Sequence, residues 1–154
     1  MNFKNFLNKK NIFVSDYYED TDSFYADFAF FLNERGIIED KKKVKRLLIK
    51  RENIQSTAIG KGAAAPHIFS DEFSEFILSI ALIKNGIDFK APDGEKVFLI
   101  FLIMSDEKDV GMHLKTLAHI ARFVKTTDIV KCVKETKHAE EIYKTILKKE
   151  KLIQ

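Results

Sequence analysis

The fold class is decided by two apolar segments, ILSIALIK (Ile77–Lys84) and VFLIFLIM (Val97–Met104). Their length is typical of strands, and Pro92–Gly94 before the second segment is a turn signal. Since both segments are apolar at almost every position, we expect strands that are buried on both sides. The run Val97–Met104 is also far short of the ~20 residues that cross a bilayer. The two segments therefore predict a sheet with helices on both faces.

Two helices are predicted before these strands. Between Thr21 and Gly36, large apolar residues recur every three or four positions, and Gly36 can close the helix. Asp40 can cap a second helix that runs to about Arg51. The inward residues expected on the two helices are Phe24, Phe28, Phe31, Leu32, Val44, Leu47 and Leu48.

Three helices are predicted after the strands. The first runs from Asp109 to Lys125, a short helix starts near Asp128, and the last starts near Thr136. On the first of these helices, the stripe expected to face the sheet consists of Val110, Leu114, Leu117, Ala121 and Val124. The predicted order is therefore two helices, a group of strands and three helices, which is an α/β layered arrangement.

Length and composition favour one domain that spans residues 1–154. The chain has 154 residues, of which 45% are hydrophobic and 32% are charged, as in soluble globular proteins. No internal repeat and no Pro- or Ser-rich linker divides it. We therefore expect a single domain with one core.

The charge pattern argues against nucleic-acid binding. The net charge is only +3, and the lysines are mixed with acidic residues. The densest basic run, Lys41–Arg46, contains Val44 at helical spacing from later leucines. We interpret this run as the solvated face of a helix and expect no nucleic-acid partner. A nucleic-acid patch is the alternative interpretation of the same run.

The N-terminus and the cysteine content favour the cytoplasm. The segment Met1–Phe13 is interrupted by lysine and asparagine and lacks the apolar stretch of a secretion signal. The single cysteine, Cys132, cannot form an internal disulfide, which agrees with a reducing compartment. We expect a cytoplasmic protein that does not itself insert into a membrane, with Cys132 in a packing or surface role.

The segment STAIGKGAAAPHIFSD (Ser56–Asp71) is suited to presenting a histidine. Gly60, Gly62 and three alanines remove side-chain bulk, Pro66 restricts the backbone, and His67 follows directly. From these residues alone, His67 is either a reactive imidazole or an ordinary histidine of a surface loop.

A second segment, MHLKTLAHIARF (Met112–Phe123), has His113 at the start of a helix. Together with Ser56–Asp71 and with Arg51-Glu52 upstream, it resembles the enzyme IIA domains of the fructose, mannitol and nitrogen-related branch of the bacterial phosphotransferase system. The matching positions are Thr57, Ile59, Gly60, Gly62, Ala64, Pro66, His67, His113, Leu114, Lys115, Leu117, Ala118, Ile120, Ala121 and Arg122. The resemblance covers nearly the whole chain.

The resemblance implies a mixed sheet of about five strands between helices, and a phosphoryl relay. His67 would accept the phosphoryl group from phospho-HPr and pass it to a cysteine of enzyme IIB, which serves a membrane sugar permease. His113 would stabilise the phosphoryl group, while Arg51 and Thr57 or Ser56 would contact its oxygens. We expect no cofactor.

Two questions stay open at the level of sequence. A sugar-transport enzyme IIA donates to IIB, whereas the nitrogen-related members share the site and control other proteins through their phosphorylation state. The second question is whether Ile68 and Phe69 form an exposed docking surface or belong to the core. Both depart from the family pattern, as do Ala58, Ala63 and Ala65.

The remaining histidines do not predict a metal site. His119 lies about 120° around its helix from His113, and we expect both His119 and His138 at the surface. The sequence has no His-x-x-x-His pair and no cysteine pair of the kind that binds zinc. Taken alone, His113 is better interpreted as a helix-end histidine, and the resemblance reverses this interpretation. Arg51 can also be explained as a basic residue favoured by the helix dipole.

Overall fold

Six strands form one mixed sheet in the computed structural model, which describes all residues from 1 to 154. The strands are β1 (Ile12–Ser15), β2 (Ala58–Gly60), β3 (Ala63–Ala64), β4 (His67–Phe69), β5 (Ile77–Ile87) and β6 (Val97–Ser105). Their order is β1-β5-β6-β3-β2, and β4 also pairs with β6. The predicted mixed sheet of about five strands is confirmed, and the two apolar segments form its longest strands.

Helices cover both faces of the sheet. The helices are α1 (Thr21–Glu34) and α2 (Lys41–Ile54) on one face, and α3 (Val110–Thr126), α4 (Ile129–Lys134) and α5 (Ala139–Glu150) on the other. Asp20 and Asp40 cap α1 and α2 by accepting hydrogen bonds from backbone N–H groups. The predicted α/β fold class, with helices on both faces, is confirmed. No helix combines the length and the apolar character needed to cross a bilayer.

Strand β6 contributes to two core layers, one on each face. Its successive side chains alternate between the faces, as in any strand. Ile100, Leu102 and Met104 pack beneath α1 and α2, and Leu99, Phe101 and Ile103 pack beneath α3 and α5. The near-continuous apolar sequence of β6 is therefore explained by burial of both faces.

The outer edge of β6 carries the segment that holds His67. Strands β3 and β4 pair with β6 in parallel, one after the other along this edge. Ala65 and Pro66 interrupt the edge, because proline has no N–H group for a ladder hydrogen bond. The Pro66 carbonyl still accepts a hydrogen bond from the Ile103 N–H group (3.0 Å). His67 is therefore the first residue after the break.

The predicted order with two helices first is wrong at the N-terminus. Strand β1 precedes α1 and pairs in parallel with β5 at the edge of the sheet. Its apolar run, Ile12–Val14, is too short to stand out from the lysines and asparagines before it. The first strand of the sheet therefore carries almost no periodic signal.

The predicted buried stripe of α3 is wrong at Val110, Leu114 and Ala121, whereas Val124 is buried and Leu117 is partly buried against the core. Leu114 is 64% exposed and Val110 is 47% exposed. The buried residues of α3 are His113, Thr116, Ile120, Phe123 and Val124. The helix is therefore rotated relative to the prediction, and His113 faces the sheet.

Two physical reasons explain this rotation. Ile120 and Phe123 bury more apolar surface than Leu114 and Ala121 could. The Thr116 hydroxyl donates to the Met112 carbonyl (2.7 Å), so threonine enters the core without an unmet polar group.

Candidate functional site

The register of β4 turns His67 toward α3. His67 lies opposite Ile103 of β6, and paired residues of neighbouring strands point to the same face. Ile103 belongs to the core layer beneath α3, so the half-buried imidazole of His67 lies on that side. Ile68 points to the other face and is buried beneath α1 and α2, which makes it a core residue rather than a docking residue.

One hydrogen bond fixes the tautomer of His67. Its Nδ1 atom lies 3.1 Å from the carbonyl oxygen of Ala65. Because a carbonyl oxygen can only accept, the proton belongs on Nδ1, and Nε2 retains a lone pair. A partly exposed imidazole in this form is a nucleophile at Nε2.

His113 is the second imidazole of the site and is almost completely buried. It is 2% exposed, and its ring centroid lies 6.4 Å from that of His67 at an interplanar angle of 77°. Neither of its ring nitrogens has a hydrogen-bond partner. Buried polar atoms without partners are rare in proteins, so these two nitrogens need an explanation.

Two phenylalanine rings enclose His113. The Phe69 ring stacks on it, with centroids 4.1 Å apart and planes at 22°, and the Phe76 ring meets it edge-on at 5.7 Å. Burial, followed by repulsion from His67, lowers the pKa of His113 to about 4, although the nearby Asp109 carboxylate opposes this shift. His113 is therefore neutral at pH 7. Phe69 is therefore neither fully exposed nor fully buried: its half-buried ring packs on His113.

Glu52 anchors the start of the histidine-bearing segment to α1 and α2. Its carboxylate accepts hydrogen bonds from the Thr57 N–H group (2.6 Å), the Thr57 hydroxyl (2.7 Å) and the Tyr25 hydroxyl (2.6 Å). The Thr57 carbonyl in turn accepts from the Ala65 N–H group (2.9 Å), and the Ala65 carbonyl holds Nδ1 of His67. A continuous chain of hydrogen bonds therefore links Glu52 to the imidazole ring of His67.

Sequence reasoning did not assign Glu52 a role of its own. The signal that could have found it is its position in the last turn of α2, where a negative charge is disfavoured by the helix dipole. An acidic residue at such a position needs a local partner, and here it has three.

The rings of His67 and His113 lie close together, whereas neither Arg51 nor Thr57 forms a hydrogen bond to either ring. The Arg51 Nη1 group donates to the Gln55 carbonyl at the end of α2 (2.8 Å). The Thr57 hydroxyl proton is used by Glu52, and the residue is buried. The Ser56 hydroxyl likewise donates to the Phe89 carbonyl (2.6 Å). Helix α2 does pack against β4, the strand that carries His67.

The glycines of the segment shape a turn rather than the space around His67. Gly60, Lys61 and Gly62 all have positive φ (90°, 54° and 81°) in the tight connection between β2 and β3. A Cβ atom on Gly62 would lie 3.1 Å from a methyl carbon of Val130. The small residues that precede Pro66 and His67 are the buried alanines Ala63 and Ala64 of β3, and Ala65.

The prediction that His119 lies at the surface is wrong. Its side chain is 12% exposed, and its Nε2 lies 2.6 Å from Oε1 of the buried Glu150, which also accepts from the Phe3 N–H group (2.8 Å). The ring also packs edge-on against Phe3. His138 is exposed at the start of α5, as predicted. No group of three His, Cys, Asp or Glu side chains is arranged to hold a metal ion.

The family model for the EIIA 2 component of the phosphoenolpyruvate-dependent sugar phosphotransferase system matches residues 5–149. A nitrogen regulatory protein of Bradyrhizobium diazoefficiens is 34% identical over 114 residues, which are 74% of this chain and 70% of that protein. A fructose-specific EIIABC component of Bacillus subtilis is 24% identical over 142 residues, which are 92% of this chain and 22% of that protein.

Solved structures share the fold. The nitrogen regulatory protein IIA-Ntr of Neisseria meningitidis has a TM-score of 0.82 at 23% identity, over 94% of this chain and 98% of that chain. Enzyme IIA of the mannitol system of Escherichia coli, in its complex with phosphorylated enzyme IIB, has a TM-score of 0.74 at 15% identity, over 91% of this chain and 96% of that chain.

Proposed function

The chain belongs to the EIIA 2 family of the phosphoenolpyruvate-dependent sugar phosphotransferase system, and from this premise we propose that residues 1–154 form one phosphoryl-carrying domain. His67 is the acceptor and then the donor of the phosphoryl group. The proposed source is the phosphohistidine of HPr, and the proposed place of action is the cytoplasm.

The transfer uses the lone pair on Nε2 of His67. This nitrogen attacks phosphorus, the nitrogen–phosphorus bond of the donor breaks, and a new bond to Nε2 forms. Nδ1 keeps its proton because the Ala65 carbonyl accepts it at 3.1 Å. The phosphorylated ring therefore carries a positive charge, which makes it a better leaving group for the next transfer.

The two unpaired nitrogens of His113 are the observation that carries this proposal. Leaving a buried polar group without a partner costs about 1–3 kcal/mol, so a fold retains one where a ligand will meet it. A phosphoryl group on His67 brings anionic oxygens to within reach of a ring whose centroid is 6.4 Å away. His113 would then donate a hydrogen bond to them.

Arg51 and Thr57 receive different roles in the proposal. Arg51 has five N–H groups, of which one is bonded to Gln55, so its guanidinium retains donors for a phosphoryl oxygen. The Thr57 hydroxyl gives its proton to Glu52, and we therefore assign Thr57 to the anchoring chain instead of to phosphate contact.

Onward transfer has two candidate forms. In the first, His67 passes the group to a cysteine of enzyme IIB, which serves sugar uptake of the fructose or mannitol type through a membrane permease. In the second, the phosphorylation state regulates other proteins without transport. The names of the Bradyrhizobium relative and the Neisseria structure favour the second form, and the Bacillus relative favours the first.

Labelling tests the acceptor directly. Phosphoenolpyruvate with a radioactive phosphoryl group, enzyme I and HPr should label the native protein and a His138→Ala control, since His138 is exposed and outside the site. His67→Ala should take up no label. Full labelling of His67→Ala would overturn the assignment.

Transfer from the labelled protein separates the two forms. The phosphoprotein is mixed with each purified IIB protein of its own organism. Loss of label to at least one IIB cysteine supports the transport form. Retention of label with every IIB, despite normal labelling by HPr, supports the regulatory form.

A further inference from the structure

We propose that phosphorylation of His67 loads a proton from solvent onto His113, and that the Phe69 ring sets the pH range of this coupling. The proposal rests on the proposed function, because it needs a phosphoryl group on His67. It adds that the carrier changes its protonation together with its phosphorylation. The equilibrium with its donor then depends on pH through a residue that never carries the group.

The geometry around His113 supplies what such coupling needs. The ring is 2% exposed, both nitrogens lack partners, and the neighbouring imidazole of His67 is 6.4 Å away. The titratable groups that act on it are His67, on β4, and Asp109, directly before α3. The other close neighbours are the rings of Phe69 and Phe76, which offer no hydrogen-bond donor or acceptor of ordinary strength.

Without a phosphoryl group, His113 holds a single proton. Burial lowers its pKa to about 4, so at pH 7 the ring has one N–H group and one lone pair. The lone pair has no donor to meet it in the aromatic enclosure. A neutral His113 can therefore offer a phosphoryl group one hydrogen bond only, and its second nitrogen would repel any oxygen that came near.

A phosphoryl group on His67 favours the doubly protonated form of His113. Even with the positive charge on the phosphorylated ring, the site gains about one net negative charge. At a distance of ~6 Å and an effective dielectric constant of ~20, that charge raises the proton affinity of His113 by roughly a hundredfold. Charge-assisted hydrogen bonds to the phosphoryl oxygens raise it by roughly a further tenfold, so that the pKa of His113 moves from about 4 to near neutrality. Each of the two ring nitrogens then carries a proton and can donate.

The balance of the step is simple. One nitrogen–phosphorus bond breaks in the donor, one forms at Nε2 of His67, and Nδ1 of His67 keeps its proton. One proton from solvent is added to the lone pair of His113. Onward transfer returns that proton to solvent, and no oxidation or reduction takes place.

Phe69 sets the proton affinity of His113 in the unphosphorylated protein. Its ring covers one flat face of His113 at 4.1 Å and keeps water from it. A smaller side chain would admit water and raise the proton affinity of His113 before phosphorylation. Phe69 is thus a positioning residue, and the difference in proton affinity between the two states should shrink when its ring is removed.

The first test measures the protonation of His113 by nuclear magnetic resonance. Protein labelled with ¹⁵N in its histidines is titrated before and after phosphorylation by HPr, and the His113 ring shifts are followed. We expect the proton affinity of His113 to rise by more than a hundredfold on phosphorylation, because a smaller rise from a pKa of about 4 would leave the ring neutral at pH 7. A rise of a hundredfold or less, in protein that is labelled on His67, would overturn the coupling. Absence of label on His67 would instead overturn the proposed function.

The second test measures the equilibrium of phosphoryl exchange with HPr from pH 6 to 8.5. His113→Gln is the matched variant, because glutamine can donate a hydrogen bond but does not titrate. The titration of HPr affects both proteins equally and cancels in the ratio of their equilibrium constants. We expect the equilibrium constant for phosphorylation of the native protein, divided by that of His113→Gln, to fall by up to about tenfold per pH unit as the pH rises. A ratio that stays constant over the range would overturn the proposal.

Substitutions of Phe69 complete the test. Phe69→Leu should raise the proton affinity of His113 in the unphosphorylated protein, while Phe69→Tyr should restore the native value because it keeps the ring. A loss of packing alone would lower stability without moving the titration of His113. Equal titration curves in Phe69→Leu and the native protein would therefore refute the role of Phe69.

Discussion

The two histidines of the site are held in opposite ways. His67 is half-buried, and a chain of hydrogen bonds from Glu52 through Thr57 and Ala65 fixes its tautomer. His113 is buried, has no hydrogen bond, and is oriented by the ring of Phe69. One imidazole is fixed by polar contacts and the other by apolar contacts.

The difference corresponds to the role that we propose for each ring. A nucleophile needs its lone pair aimed in one direction, and a hydrogen bond to the opposite nitrogen achieves this for His67. A stabilising group needs unused hydrogen-bonding capacity, and apolar packing leaves that capacity free on His113. Polar anchoring and apolar enclosure are thus two means of preorganising a site.

The largest effect is expected from breaking the polar anchor. Glu52→Ala would leave the Thr57 N–H group, the Thr57 hydroxyl and the Tyr25 hydroxyl without their acceptor. We expect the free energy of unfolding to fall by about 3–5 kcal/mol, since each unmet group costs about 1–3 kcal/mol and water recovers part of that. Urea denaturation followed by circular dichroism measures the loss.

Glu52→Gln is the matched control for this substitution. It keeps the shape and one acceptor oxygen, so the loss should be less than half of that in Glu52→Ala. A change below 0.5 kcal/mol in Glu52→Ala, within the usual range for surface substitutions, would show that the chain does not anchor the segment.

The next effect comes from the apolar enclosure and depends on pH. The pKa of His113 is about 4 in the folded protein against 6.5 for an ordinary histidine, so between these values the unfolded chain binds more protons. The free energy of unfolding should therefore rise with pH over this window, and acid should remove about 2–3 kcal/mol. Urea titrations at several pH values measure the slope.

His113→Gln isolates this contribution from that of the carboxylates. The variant lacks the titrating imidazole, so its stability should change less than that of the native protein between pH 6.5 and pH 4. Parallel curves for the two proteins would mean that His113 is not held neutral by its enclosure.

The fold was predictable from sequence where periodicity was long. The two continuous apolar segments define β5 and β6, and the spacing of large apolar residues together with Asp40 defines α1 and α2. The strand β1 was not predictable, because its identity depends on pairing with β5 and not on its own short pattern. Tertiary pairing decides the state of such short segments.

The proximity of the two histidines was predictable through their motifs, and their ring centroids lie 6.4 Å apart. The enclosure of His113 was not, because it depends on the rotation of α3. Two sets of residues on that helix could form its buried face. The set that is buried includes the polar His113, which makes it harder to recognise from the sequence. The role of Glu52 depends on contacts with Tyr25 and Thr57, which lie on other segments of the chain. Spacing along one element cannot reveal such contacts.

Replacing Phe69 should lower the free energy of unfolding by less than acid does in the native protein. It should also weaken the dependence of that free energy on pH. Phe69→Ser removes a half-buried ring that stacks on His113, which we expect to cost about 1–2 kcal/mol at pH 7. Water would then reach the imidazole, so its pKa would rise toward the ordinary value and the acid-dependent loss would shrink. Phe69→Tyr should keep both properties. A pH dependence unchanged in Phe69→Ser would assign the enclosure to Phe76 instead.

The smallest effect should be found at Leu114, and it tests the rotation of α3 on which the enclosure depends. Leu114 follows His113 directly but is 64% exposed, so Leu114→Ser should change the free energy of unfolding by less than about 0.5 kcal/mol. Ile120→Ala is the control on the same helix, and its fully buried side chain should cost about 2–5 kcal/mol. Since the two residues lie on different faces, the rotation predicted from the sequence would reverse this order. In that orientation Leu114 would be buried, and His113 would lie at the flank of the buried stripe, about 60° from its centre. A larger loss for Leu114→Ser than for Ile120→Ala, measured by urea denaturation, would therefore remove the basis for an enclosed and neutral His113.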